Sequence, residues 1–202
     1  MSNWLNFLTP LTPTSPPVKR RVFVSYSHMN QQEAENFVFK WRNVFTPRAL
    51  GMAFDNNLIN SDNPTYVMSR IRAEYLGDST VTIVLVGTCT HSRRYVDWEL
   101  KASLQRGTST PNGVVAFLLP SAHNHNSRLY PHLPDRLASN YKYLDDTSYA
   151  RYWFMPETEA QMRNCIEIAF QARTRLADNI VNSTERMLYN RTCVACGYNH
   201  GA

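Results

Sequence analysis

From residue 22 onward the apolar positions change period repeatedly, and each change marks an element. Val22-Phe23-Val24-Ser25-Tyr26 is a continuous β-branched and aromatic run, which predicts a buried strand. Ala34, Phe37, Val38, Trp41 and Phe45 then recur at i, i+3, i+4, i+7 and i+11, the spacing of an amphipathic helix. Met52-Ala53-Phe54 is a weaker short strand. Asn63-Pro64 reads as an N-cap followed by proline at the first helical position, opening a helix with Val67, Met68, Ile71 and Tyr75 on its apolar face. Residues 80–86 (Thr-Val-Thr-Ile-Val-Leu-Val) give the clearest strand, and 113–119 (Gly-Val-Val-Ala-Phe-Leu-Leu) another. Between them Val96, Leu100 and Leu104 form the core stripe of a helix, with Glu99 beside that stripe.

Residues 121–140 are polar and rich in Asn, His and Pro, and at about twenty residues exceed ordinary loop lengths. Tyr141-Lys142-Tyr143-Leu144 is the expected last edge strand. Thr158-x-x-Gln161 is a capping-box signature opening a helix that carries Met162, Ile166, Ala169, Phe170, Arg173 and Leu176. Strand and helix thus alternate, which implies a three-layer α/β domain over residues 21–180 with a mostly parallel central sheet. Residues 1–20 are expected to be a Pro-rich extension ending in Thr12-Pro13-Thr14-Ser15-Pro16-Pro17, and 181–202 a polar C-terminal tail.

Composition narrows the picture modestly. At 43% apolar and 18% charged residues the chain is ordinary for a globular protein, which excludes disorder throughout. A net charge of +5 suits an anionic partner such as a nucleotide, but the basic runs (Lys19-Arg20-Arg21, Arg93-Arg94) are too short to argue for nucleic acid. No apolar run approaches the roughly 18–20 residues that span a bilayer, so no membrane association is expected. The N-terminus lacks a basic leader, and the cysteines, mostly far apart, do not suggest a disulfide scaffold; a cytoplasmic location is expected. The N-x-S/T triplets at Asn182 and Asn190 are then without consequence.

Candidate chemistry sits after the strands. Tyr95-Val96-Asp97-Trp98-Glu99-Leu100 follows the strand 80–86 and a polar turn, so it opens a helix beyond the carboxyl edge of the sheet, where open α/β sheets place ligands. Tyr95 and Glu99, one turn apart, share a face, and a ring beside a carboxylate suits a planar cationic group next to a sugar. A surface carboxylate is the plain alternative for Glu99, and core packing for Trp98. Ser25-Tyr26-Ser27-His28 ends the first strand, where the hydroxyls and imidazole suit phosphate and ribose or merely cap the next helix. Asp55 and Asn57 lie in a loop above the sheet, as ligand contacts or as a turn. Cys193-x-x-Cys196 with His200 resembles half a zinc knuckle, but a structural site needs four ligands and no second pair is near in sequence. A frayed tail is the reading there, His123-x-His125 lacks carboxylate neighbours, and no metal is expected. The motifs G-x-G-x-x-G, the P-loop and G-x-S-x-G are absent.

Two motifs together resemble a family. Arg21-Val22-Phe23-Val24-Ser25-Tyr26-Ser27 looks like the first strand of a TIR domain, and Thr90-His91-Ser92-Arg93-Arg94-Tyr95-Val96-Asp97-Trp98-Glu99-Leu100 like the helix bearing its catalytic glutamate. The Val-x-Trp-Glu wording, Leu133-Pro134 and the long last helix resemble the TIR-like proteins of bacterial Thoeris antiphage systems. The resemblance implies a flavodoxin-like fold and cleavage of NAD+ at the nicotinamide–ribose bond, with NAD+ as substrate and no resident cofactor. Such an NAD+ glycohydrolase or cyclase-like enzyme makes an ADP-ribose-derived signal, cyclic or conjugated, for a separate effector protein. A phage-derived trigger and homo-oligomers through TIR surfaces belong to the same expectation. Carried over by position, Glu99 is catalytic and Tyr95 lines the nicotinamide site, where many relatives have Trp; Ser27 and His28 contact substrate, and Asn30 stands where many have Asp. The competing readings are a non-catalytic TIR interaction module and an enzyme acting on other nucleosides with Glu99 as nucleophile.

Overall fold

The computed structural model describes residues 18–50, 66, 70–107, 110–122 and 132–199. Five strands, β1 (Arg21–Tyr26), β2 (Thr46–Leu50), β3 (Val81–Val86), β4 (Gly113–Leu118) and β5 (Arg151–Trp153), form one parallel sheet in the order β2-β1-β3-β4-β5. That is the flavodoxin-like order, whose direction reverses between β1 and β3 and opens a crevice there. The main helices are α1 (Gln31–Trp41), α2 (Arg94–Ser103), α3 (Asp135–Ser139) and α4 (Glu159–Arg175), with a π-helical segment over Ile71–Leu76.

Strand parity sorts the core into layers. Val22, Val24, Ile83, Leu85, Val115 and Phe117 point to one face, against Ala34, Phe37 and Trp41 of α1 and Met162, Ile166 and Ala169 of α4. Val84, Val86, Val114, Ala116 and Leu118 point the other way, against Val96 and Leu100 of α2 and Leu137 of α3. Phe23 packs on that second face with Ile71, Leu76, Trp98 and Ala102. α4 comes close enough at the start of β4 that a Cβ on Gly113 would lie 1.8 Å from the Ala169 carbonyl oxygen; only glycine fits. The expected capping box is present: the Gln161 N–H donates to Thr158 Oγ1, and the Gln161 side chain accepts from the Thr158 N–H.

Two expectations need correction, and one falls outside the described residues. The second strand is Thr46–Leu50, ahead of Met52-Ala53-Phe54, which lies outside the described residues. It carries Pro47, which the sheet tolerates because β2 is an edge strand. The last strand is Arg151–Trp153, while 141–144 is irregular and ends in a turn with Tyr143 and Leu144 exposed and Leu144 at φ 57°. A left-handed residue inside the stretch cannot continue a strand. The long polar segment also contains α3, whose Arg136 and Leu137 are buried. The helix expected from Asn63-Pro64 falls mostly outside the described residues; Ile71 is buried as expected.

Candidate functional site at the first switch point

The site grows from the parity of β1. With Val22, Val24 and Tyr26 committed to the α1/α4 face, Ser25 must point toward α2, beside Val84 of β3. The loop after β3 turns the chain back in few residues. Gly87 N–H donates to Thr90 Oγ1 (2.8 Å), and Ser92 Oγ to the Cys89 carbonyl (2.8 Å), across a 3-10 turn at Thr90–Ser92. α2 then presents Val96 and Leu100 to one apolar cluster and Trp98 and Ala102 to another. Glu99 is carried in with them to 1% exposure, and Ser25 Oγ donates to Glu99 Oε2 at 2.5 Å. Such a charge-assisted bond aims the carboxylate. The helix is therefore buried more completely than its apolar stripe indicates, with Asp97, Glu99 and Ser103 all inside.

The other sequence-selected residues distribute unevenly. Tyr26 is buried on the opposite face, where burial first, and then the negative charges of Glu99 and Glu35, push its phenol above the ordinary range. Ser27, just past β1, is buried, and its hydroxyl has no hydrogen-bond partner among the described residues. His28 is exposed at the start of the 3-10 turn His28–Asn30. Tyr95 is half-buried; its hydroxyl accepts from Arg94 (3.1 Å) and its ring stands edge-on to Trp98 at 5.6 Å. Trp98 is packed, and its indole N–H donates to the Met187 carbonyl (2.6 Å). Asp55 and Asn57 lie outside the described residues. Ser25 and Glu99 are thus in contact and Tyr26 lies within reach of the same charge, whereas Tyr95 and Trp98 pair with each other.

A polar bracket at the same edge escaped the sequence reading. Asn30 Nδ2 donates to Glu33 Oε2 (2.9 Å) and Ser121 Oγ (3.3 Å), and Ser121 Oγ donates to Glu33 Oε2 (2.6 Å). Asn30 also lies against the backbone at Gly87, where a Cβ would sit 2.1 Å from its Oδ1. The ends of β1, β3 and β4 are tied together by this contact set. Only the irregular position of Asn30 in the family pattern marked it beforehand.

A family model for the TIR-like domain of the Thoeris protein ThsB matches residues 23–124, half of the chain. The chain belongs to the Thoeris TIR-like family. The matched stretch contains Ser25, Ser27, Tyr95 and Glu99, and it places the protein in antiphage defence, a setting in which effector partners act. No curated protein matches the chain.

Outside the matched stretch, the tail of this Thoeris TIR-like protein departs from the frayed segment expected of it. Residues 181–199 run back along α2 from its C-terminal to its N-terminal end. Asn182 Nδ2 donates to the Lys101 carbonyl (3.0 Å), Lys101 Nζ to the Thr184 carbonyl (2.7 Å) and Met187 N–H to Asp97 Oδ2 (2.8 Å). Arg94 N–H donates to Asn190 Oδ1 (2.9 Å), and Arg191 N–H to the Ser92 carbonyl (2.9 Å). Under the tail Arg136 Nε donates to Asp97 Oδ1 (2.9 Å), in an ion pair whose side chains are 1% and 7% exposed. The remaining Arg136 nitrogens donate to the Asn182 side chain and to the Thr184 and Glu185 carbonyls. The polarity that suggests a loose end belongs to groups whose partners lie about ninety positions away in sequence. As for metal ligands, Cys193 and Cys196 meet Cys89, while His200, His123 and His125 lie outside the described residues. No helix among the described residues is long and apolar enough to cross a membrane.

Proposed function

We propose that this protein cleaves NAD+ at the nicotinamide–ribose bond, with Glu99 as the catalytic carboxylate. The observation that carries the reading is a buried glutamate aimed by Ser25 at the switch point of a flavodoxin-like sheet. Nicotinamide leaves as a neutral molecule from a pyridinium, so its departure needs no general acid. Glycosidases that expel an alkoxide need two carboxyl groups for that reason. What remains is an oxocarbenium-like ribose, and a fixed anion in a water-poor site stabilises the charge as it develops. Glu99 supplies that anion, Ser25 holds it in one orientation, and the buried Ser27 hydroxyl offers a contact to a ribose or phosphate oxygen. The ADP-ribosyl moiety then passes to an acceptor, and the cyclic or conjugated product signals to an effector protein of the defence system.

The test follows nicotinamide release from NAD+ in phage-infected cells expressing wild type or Glu99→Gln, a setting that supplies the trigger. The variant is expected to lose about a hundred-fold or more of the turnover, the usual loss when one preorganised electrostatic group is removed. If both proteins are equally inert under infection yet self-associate, the chain is an interaction module and the proposal fails. Products of another nucleotide, lost with Glu99, would point to a different nucleosidase.

A further inference from the structure

Three of the four cysteines converge although up to 107 positions separate them in the chain. Cys89 comes from the loop between β3 and α2, and Cys193 and Cys196 from the tail; their sulfurs all lie within 4.8 Å of one another. Cys89 Sγ and Cys196 Sγ are 3.3 Å apart. Cys89 and Cys193 are buried and Cys196 is half-buried. The tail pair sits on a closed turn. The Gly197 N–H donates to the Cys193 carbonyl (2.8 Å), and the Cys193 N–H to the Tyr198 carbonyl (2.9 Å). Gly197 has φ 73°, the left-handed conformation that lets the turn close behind the second cysteine.

This arrangement fits a metal better than a disulfide. Thiolates held about 2.3 Å from a tetrahedral Zn2+ stand about 3.8 Å from one another. The Cys89–Cys196 separation of 3.3 Å lies near that value and the other pairs lie within 4.8 Å, whereas a disulfide needs about 2.0 Å and would use only two of three convergent sulfurs. An all-sulfur donor set selects soft, tetrahedral ions and rejects Mg2+ and Ca2+. The half-buried Arg93 guanidinium lies within electrostatic reach of all three sulfurs. A dication with three thiolates carries a net charge of −1, which Arg93 offsets.

We propose that Cys89, Cys193 and Cys196 bind one Zn2+ ion that pins the C-terminal tail to the loop leading into the Glu99 helix. Three Zn–S bonds form and three thiol protons pass to solvent, with no change of oxidation state; the half-exposed side at Cys196 leaves the fourth position open to water. The pin closes the run of tail contacts along α2 at the end where that helix begins. It uses neither Glu99 nor Ser25, so its test is independent of NAD+ chemistry.

The experiment is elemental analysis of the full chain, expressed with zinc in the medium and purified under reducing conditions without chelator. About one zinc per chain is expected. Cys89→Ser, Cys193→Ser and Cys196→Ser should each weaken zinc binding at least about tenfold in competition with a chromophoric chelator. Cys165→Ser should leave it unchanged, because Cys165 belongs to α4 and packs on the core at the other face of the sheet. Should the serine variants misfold, Co2+ titration of the wild-type chain decides the matter: thiolate-to-cobalt charge-transfer bands with tetrahedral d–d bands are expected. A folded wild-type chain that takes up neither metal overturns the proposal. So does a folded Cys89→Ser variant with full zinc occupancy, or a Cys89–Cys196 disulfide in metal-free protein.

Discussion

α2 and α4 flank the same sheet on opposite faces and are built on different terms. α4 buries Met162, Ile166, Ala169 and Ala172, with its polar residues left toward solvent, and it starts from a capping box written in four consecutive residues. α2 buries Asp97, Glu99 and Ser103 beside Val96 and Leu100. Taking charges out of water is costly unless they are paired or hydrogen-bonded. The two buried carboxylates of α2 meet that demand differently. Asp97 faces a guanidinium and a tail N–H, and becomes a clamp between α3, α2 and the tail. Glu99 takes a hydroxyl from the end of β1, 74 positions away, at the edge where ligands bind. The placement separates a carboxylate that clamps three segments together from the one proposed for chemistry, two positions apart on α2.

That contrast can be broken at four points. The largest effect is expected from Asp97→Asn, which leaves Arg136 buried without its counter-charge and should cost about 3–5 kcal/mol in urea unfolding. Limited proteolysis should then cut within residues 181–199 first. Glu99→Gln should do the reverse: turnover falls by about a hundred-fold or more with the unfolding midpoint held near wild type, because an amide keeps the shape and removes the anion. A Glu99→Gln protein that is unfolded but active where folded would erase the distinction. Ser25→Ala removes a hydrogen bond to a charged group worth about 1.5–3 kcal/mol, so nicotinamide release should drop about tenfold to a hundredfold. The smallest change belongs to α4, where Thr158→Ala should lower stability by about 1 kcal/mol and leave turnover as it was. Loss of activity on cutting that cap would mean that the two faces are not separable.

Legibility in the sequence followed the same divide. The buried strands β1, β3 and β4, the stripe of α1 and the capped α4 were all readable, because a central strand or an amphipathic helix must repeat apolar residues at its own period. The edge strands were not: β2 carries Pro47, and β5 has only three residues, all partly exposed, so neither shows a run. The place of Glu99 after β3 is legible in the sequence but its depth is not, because the periodicity of α2 registers one apolar stripe and not the second cluster around Trp98. The sequence puts the rings of Tyr95 and Trp98 on the same helix as Glu99, but not their packing against each other and of Tyr95 against Arg94, which depends on side-chain packing rather than spacing.

By itself, the sequence determined the alternation of strand and helix, and with it the parallel sheet and the edge at which a site can form. These follow from local periodicity, since each segment carries the record of which of its faces is buried. Only the tertiary structure decided which polar groups meet. Ser25 and Glu99 are 74 positions apart, Asp97 and Arg136 are 39, and Cys89 and Cys196 are 107. No local pattern encodes such pairings, because a hydroxyl, a carboxylate or a thiol has the same neighbours in sequence whether its partner is water or a distant side chain. The packing of α2 between the sheet and the tail chose the partners. It turned two of the residues in one short motif, Asp97 and Glu99, into a clamp and a candidate catalytic group.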